Sequence, residues 1–423
     1  MSKECIKLLI MSSPKLSSFI YAVSLITISV LFCSGNIFAQ QGPGGVSVET
    51  GSLTGCGGTA VSTCGVWLDA STLSALADGD DVSTWTDVSY STDCDNATVP
   101  ANILPPTFRN DPAFTINGLP TLTFEDDRYF ILASSDDLNT EKVTYDKMVF
   151  LAFRTSEEII EKQMIYEEGG TVRGFYIMID DGLLIIGAYD RAVDNDGQVS
   201  GNADNTPAWG YSYVSNPIQP NTTYILCAQF KATTPGVLGN NANNFLRGWL
   251  NGTSFGGPGA LIGGNNFNGF NNQGLLGTLY NHPNPCGLGA VNDDTVDREQ
   301  VINGNANTVG TWSFKGKLAE MCYYKDEITE TQRLIVQNYL ASKYLAVLNT
   351  QDWYSYEFAH GKDVIGIGQR INNSDLHDLS QGRNPFRIST NGAVSSSPNQ
   401  YYFTGHNGLN MTWTNVGVPN NST

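Results

Sequence analysis

Asn-Gly and Asp-Gly pairs set between apolar runs constrain this chain more than any other feature. Both central residues of a two-residue hairpin turn take positive φ, which these residue types adopt at little cost, so each pair predicts two strands folding back on each other. Phe114–Ile116 runs into Asn117-Gly118, and Thr121–Phe124 follows Pro120. Phe175–Ile179 leads to Asp181-Gly182 and then Leu183–Ile186. Phe245–Leu250 runs into Asn251-Gly252 and Thr253–Phe255, and Asn391-Gly392 lies between Ser389-Thr390 and Ala393-Val394. Lys147–Phe153 and Thr223–Phe230 are further strand-like runs bounded by polar turn clusters. Many short strands at this spacing predict an all-β, antiparallel two-sheet sandwich or barrel. Glycine, 44 of 423 residues, supplies the turns, and an apolar fraction of 41% supplies the core.

One segment departs from that pattern. Thr329-Glu-Thr-Gln332 matches a capping box, in which the threonine oxygen and the glutamine side chain satisfy otherwise unpaired backbone N–H groups. Leu334, Ile335, Tyr339, Leu340 and Tyr344 then recur at helical spacing, predicting one helix over about 329–343 with one apolar face on the sandwich. Strand-like sequence resumes beyond Leu348 and stops at Thr423 in polar sequence, so the second unit is expected to be incomplete. The Gly/Asn-rich stretch 236–277 reads as one hairpin and long rim loops, either a plain surface or an amide-rich ligand rim.

The first 39 residues read as a secretory signal peptide. Lys3, Lys7 and Lys15 precede the apolar run Phe19–Phe32, and Ile37-Phe38-Ala39 ends in a small residue suited to cleavage. A membrane anchor is the first alternative, but the apolar run is shorter than the roughly 20 residues a span needs. Lipoprotein processing at Cys33 is the second, disfavoured by Phe32 where a small residue is wanted. The expected location is therefore secreted or at the cell surface, without membrane insertion after cleavage. Removing this segment takes the net charge from −18 to −20. So acidic a surface repels phosphate backbones, which argues against nucleic acid as a partner.

Export also changes how the cysteines read. Cys56, Cys64, Cys94, Cys227, Cys286 and Cys322 would remain in an oxidising compartment. Cys56 and Cys64 bracket a short glycine-rich loop that closes easily, and a Cys56–Cys64 disulfide is expected. Cys227 and Cys322 lie in strand-like runs, where a buried thiol is at least as good a reading as a bond. The four histidines are scattered without zinc-ligand spacing.

Several ordered pieces resemble a known family. Val66–Ala70, then Asp78–Ser89, resembles the opening of laminin G-like, concanavalin A-like jelly-roll domains of secreted bacterial surface proteins. The likeness continues at Asn117–Glu125, Trp249–Gly252, Phe314–Tyr324 and Glu330–Tyr344, the last resembling the helix that closes such domains. Lys362–Gln369 resembles the start of the β-rich unit that follows in large adhesin-like exported proteins of gliding bacteria. The resemblance implies a jelly-roll domain over 46–348 and a smaller β-rich domain over 350–423.

Catalytic motifs are absent from the sequence. No run of acids alternates along one strand face, and Glu167-Glu168, being adjacent, should face opposite sides. No nucleophile elbow or metalloprotease motif occurs. Binding is the favoured activity. Trp209, Tyr211 and Tyr213 offer aromatic faces to a sugar, or else anchor a long loop. Asp190, Asp194 and Asp196 make an oxygen-rich loop that offers ligands to calcium, although its spacing is not that of a helix–loop–helix site. The expected protein is a non-catalytic surface protein that binds glycans or extracellular matrix-like protein partners through rim loops. A structural spacer in a larger adhesin is the first alternative, and a glycan-cleaving enzyme the second.

Overall fold

The computed structural model describes residues 42–47, 64–89, 91–125, 127–140, 143–144, 146–169, 173–190, 210–232, 244–258, 279–280, 284–292, 312–325, 328–370, 375–381, 387–389 and 400–406. From the N-terminus come β1 (Cys64–Asp69), β2 (Thr84–Trp85), β3 (Ala97–Thr98), β4 (Thr107–Arg109), β5 (Thr121–Thr123) and β6 (Phe130–Leu132). Next are β7 (Val143–Thr144), β8 (Asp146–Arg154), β9 (Gln163–Gly169), β10 (Arg173–Asp180), β11 (Leu183–Asp190), β12 (Gly210–Pro217) and β13 (Thr223–Ala232). β14 (Asn244–Leu250), β15 (Thr253–Gly256), β16 (Leu279–Tyr280), β17 (Cys286–Leu288) and β18 (Lys317–Tyr324) precede the helix α1 (Glu330–Tyr344). A single-turn helix α2 (Glu357–His360) follows, then β19 (Lys362–Gln369), β20 (Leu376–His377), β21 (Leu379–Gln381), β22 (Arg387–Ser389) and β23 (Gln400–His406).

The protein is nearly all β, built on two antiparallel sheets. The first runs β15-β14-β13-β8-β18-β5-β4, with β1 also paired to β18. The second runs β12-β11-β10-β9-β17-β6-β3-β2. Asp181 and Gly182 take φ of 52° and 71° and close the β10–β11 hairpin; Asn251 and Gly252, at 45° and 83°, close β14–β15. Asn117 and Gly118 also take positive φ, but the turn they make is bracketed by a single bridge between Ile116 and Leu119. The expected turn at Asn391-Gly392 lies outside the described residues.

Strand alternation divides the cores. Val149, Leu151 and Phe153 of β8 face the second sheet, against Ile165, Phe175, Ile177 and Ile186, with Leu226 and Phe230 of the neighbouring β13 on the same inner face. Met148, Phe150 and Ala152 face the other way, toward Leu334, Ile335 and Tyr339 of α1. A strand buried on both faces reads as a continuous apolar run, which is the pattern of Lys147–Phe153.

The helix differs from the expectation in one respect. Its capping box is present, with Gln332 N–H donating to Thr329 Oγ1 at 3.2 Å and Thr329 N–H to Gln332 Oε1 at 2.8 Å. It is buried almost all round, however, rather than on one face. Val364, Tyr401 and Phe403 of the C-terminal strands join the same apolar cluster from the far side. The polar residues of α1 therefore need internal partners. Asn338 donates to the carbonyls of Leu334 and Gln351 and accepts from the backbone N–H of Trp353 and Tyr354. Arg333 lies on Glu330, Gln337 and Gln351.

The helix is also tied to the sandwich through Glu320, a buried carboxylate on the outer face of β18. It accepts from Trp67 Nε1 at 2.7 Å, Tyr339 OH at 3.0 Å, Tyr344 OH at 2.8 Å and Lys343 Nζ at 2.6 Å. Lys343 also donates to Asp69 at 2.8 Å. Among the described residues no helix is long and apolar enough to cross a membrane.

The expected Cys56–Cys64 disulfide is not made. Cys64 opens β1 and points into the cluster beneath α1, where its buried thiol donates to the Val66 carbonyl at 3.6 Å. Cys227, Cys286 and Cys322 are also buried thiols. Cys94, by contrast, is disulfide-bonded, and Cys56 lies outside the described residues.

Candidate functional site

The outer face of the second sheet carries an apolar cluster of its own. Register counted out from the Asp181-Gly182 turn sets Tyr176 opposite Gly187, and Gly187 opposite Tyr213 on β12. On the other side Tyr176 faces Glu167, which in turn faces Gly287. One row along the strands, Met164, Met178, Ile185 and Ser215 face one another. In the other direction Tyr189 pairs with Tyr211. The result is a strip of tyrosines and methionines across four strands, with a carboxylate at one end.

Two glycines shape this strip. A Cβ on Gly187 would lie 2.2 Å from the Tyr176 ring, so the missing side chain lets the tyrosine lie flat over β11. A Cβ on Gly287 would lie 2.9 Å from Glu167 Oε1, so this glycine makes room for the carboxylate. Glu167 Oε1 accepts the Asn292 N–H at 3.0 Å. The ends of a further excursion cross the same face. Val291 and Trp312 pack on Met164, Tyr176, Met178 and Ile185, and Trp312 C=O accepts from Met164 N–H at 2.6 Å. Lys162 Nζ lies 5.0 Å from the Trp312 ring centre.

Exposure grades across the strip. Tyr176, Met164, Met178 and Ile185 are buried, whereas Tyr213, on the edge strand β12, is half-exposed. Tyrosine at such an edge combines an apolar face with a polar tip, which suits a pyranose ring carrying both C–H and O–H groups.

The structure redistributes the residues expected from the sequence. Tyr211 and Tyr213 belong to β12 rather than to a rim loop, and their i, i+2 spacing places them on one strand face. Asp190 is the last residue of β11, and its backbone pairs with Gly210. Asp190, Tyr211 and Tyr213 thus lie on adjacent strands at the ends of one excursion. Asp194, Asp196 and Trp209 lie outside the described residues. Among the described residues no three of His, Cys, Asp and Glu are grouped to hold a metal ion. Sequence reasoning missed Tyr176, Gly187 and Glu167. Counting outward from the Asp181-Gly182 turn pairs 176 with 187, so hairpin arithmetic could have found the first two.

A second acidic group has a structural task. Asp87 accepts from the backbone N–H of Trp67, Ser89 and Asp95, stapling its loop to β1. Burial pushes the Asp87 carboxyl up to about 6 and the Asp95 carboxyl up to about 7.

No protein-family model matches the chain, and no curated protein matches it. Solved structures show faint likeness. The CBM40 of the Ruminococcus gnavus IT-sialidase, bound to α2,3 sialyllactose, is 12% identical with a TM-score of 0.29, covering 51% of this chain and 94% of that one. Domain 4 of AbnA, a GH43 extracellular arabinanase from Geobacillus stearothermophilus in complex with arabinotriose, is 10% identical with a TM-score of 0.34. That match covers 66% of this chain and 98% of that one. Trypanosoma rangeli sialidase is 10% identical with a TM-score of 0.33, covering 65% of this chain and 32% of that one.

Proposed function

We propose that this is an exported, non-catalytic surface protein that binds glycans along the outer face of its second sheet, at the β12 edge. The observation that carries the reading is the register row Tyr176, Gly187, Tyr213, which sets an accessible tyrosine beside a glycine-cleared aromatic strip. Tyr211, two residues before Tyr213 on the same strand, extends that row toward Asp190. Asp190, Asp194 and Asp196 belong to the same proposal as oxygens for sugar hydroxyls or for a calcium ion. Trp209, which precedes β12 directly, supplies a further ring.

The separation of Glu167 and Glu168 supports a binding role over glycan cleavage. Glu168 contacts Lys147 inside the sandwich, whereas Glu167 holds Asn292 on the outer side, so the two do not flank one cleft. A second reading, the structural spacer, is favoured by one observation: the middle of the strip, Tyr176 and Met178, is fully covered by the protein itself. Probing the whole exported chain on a glycan array decides between them. Selective retention of a sugar class is the expected outcome, and an array without a selective signal would favour the spacer.

A further inference from the structure

Lys147 and Glu168 form a buried pair that joins the two sheets. Lys147 lies on the inner face of β8 in the first sheet and Glu168 on the inner face of β9 in the second. Both side chains are 0% exposed and in direct contact. Aromatic rings surround them. Lys147 Nζ lies 6.0 Å from the Phe175 ring centre and 5.8 Å from that of Tyr323, and Tyr166 packs on both rings.

As an ion pair this arrangement is poorly provided for. Burying two charges is repaid only when their remaining hydrogen-bonding positions are satisfied. An ammonium has three N–H donors, yet Lys147 has one hydrogen-bond acceptor, Glu168 Oε1, among the described residues. The carboxylate has a second partner. Tyr166 OH donates to Glu168 Oε2 at 3.3 Å. Burial also pushes the Glu168 carboxyl upward, toward its protonated form.

We propose that Lys147 and Glu168 condense to an amide, a covalent cross-link between the two sheets. The two carboxyl oxygens have different partners, and these assign the steps. A proton passes from Nζ to Oε1, leaving a neutral amine beside a neutral acid. The nitrogen lone pair attacks Cδ while the Tyr166 hydroxyl stabilises the charge developing on Oε2. The C–N bond forms, a second proton passes from nitrogen to Oε1, the Cδ–Oε1 bond breaks, and Oε1 departs as water. Oε2 remains as the amide carbonyl, still accepting from Tyr166, and the third proton remains as the amide N–H. Nothing is oxidised or reduced, and no co-reactant is needed. The product removes both charges from the core. For a protein exposed outside the cell it also locks the sheets against mechanical separation, whatever the ligand.

Mass spectrometry of the purified, folded chain tests this without any variant. The expected intact mass is lower than the sequence mass, after allowing for the Cys94 disulfide, by one water. Proteolysis should then give a branched peptide joining the segment of Lys147 to that of Glu168. Lys147→Met should restore the full mass, and Tyr166→Phe should slow appearance of the lighter species during incubation of newly folded protein. Full mass for the wild type after prolonged incubation, with Lys147 and Glu168 in separate peptides, would overturn the proposal. A water lost elsewhere, as at Asp181-Gly182, would also leave those peptides separate and count against it.

Discussion

Glu320→Ala removes the acceptor on which four donors converge beneath α1. The variant leaves Trp67 Nε1, Tyr339 OH and Tyr344 OH without that acceptor, while Lys343 keeps Asp69 at 2.8 Å. Losing a buried acceptor costs about 1–3 kcal/mol per donor that finds no substitute, and such costs are not additive where groups relax together. Breaking a buried ion pair from one side costs about 3–5 kcal/mol, and that is the expected loss. Against a typical domain stability of about 5–15 kcal/mol this is a large fraction. Glu320→Gln keeps an acceptor for two donors and should cost about half as much. The Glu320→Gln and Lys343→Met pair should couple by about 1–3 kcal/mol in a double-mutant cycle. Urea unfolding followed by tryptophan fluorescence measures all of these. A loss below about 1 kcal/mol for Glu320→Ala would show that the network does not hold the helix to the sandwich.

Three further outcomes follow from the geometry. Gly187→Ala sets a methyl group against the Tyr176 ring and should cost about 1–3 kcal/mol by thermal unfolding; a neutral effect would mean that the ring is not packed on β11. Asp95, whose carboxyl is raised to about 7 by burial, binds its proton more tightly folded than unfolded. Its contribution to stability is therefore full below about pH 4 and is lost as pH rises toward 7. Asp95→Asn should flatten the stability profile across that window, and parallel profiles for wild type and variant would refute the assignment. Alkylation of the denatured, unreduced chain should label Cys64, Cys227, Cys286 and Cys322 and spare Cys94. Labelling of Cys94 would contradict its disulfide.

Local chemistry made the sheets and the helix legible. The Asp181-Gly182 and Asn251-Gly252 turns and the Thr329 capping box each encode their element within a few residues, and each forms where expected. The all-round burial of α1 was not legible, because it depends on β19 and β23 packing from residues far along the chain. Arg333, Gln337 and Asn338 look like a solvated face in sequence and turn inward only because of that cover. The Cys64 expectation failed for a similar reason. A short loop makes closure easy, but the direction of the β1 side chains decides where the thiol goes. For the candidate site, residue types were legible while their setting was not. Tyr211 and Tyr213 read as loop residues in sequence because the polar, glycine-rich stretch before them conceals the period-two alternation of β12. The pairing of Tyr176 with Gly187 required hairpin arithmetic rather than a motif.

The central claim is that the protein recognises sugar through the accessible tyrosine of the β12 edge. The most direct test measures affinity and melting temperature together, for wild type and Tyr213→Ala, against the sugar class that a glycan array selects. Losing one stacking ring should cost about 1 kcal/mol, a several-fold loss of affinity, with the melting temperature unchanged. Unchanged affinity per folded molecule, with or without a lower melting temperature, would make Tyr213 a packing residue and contradict the account.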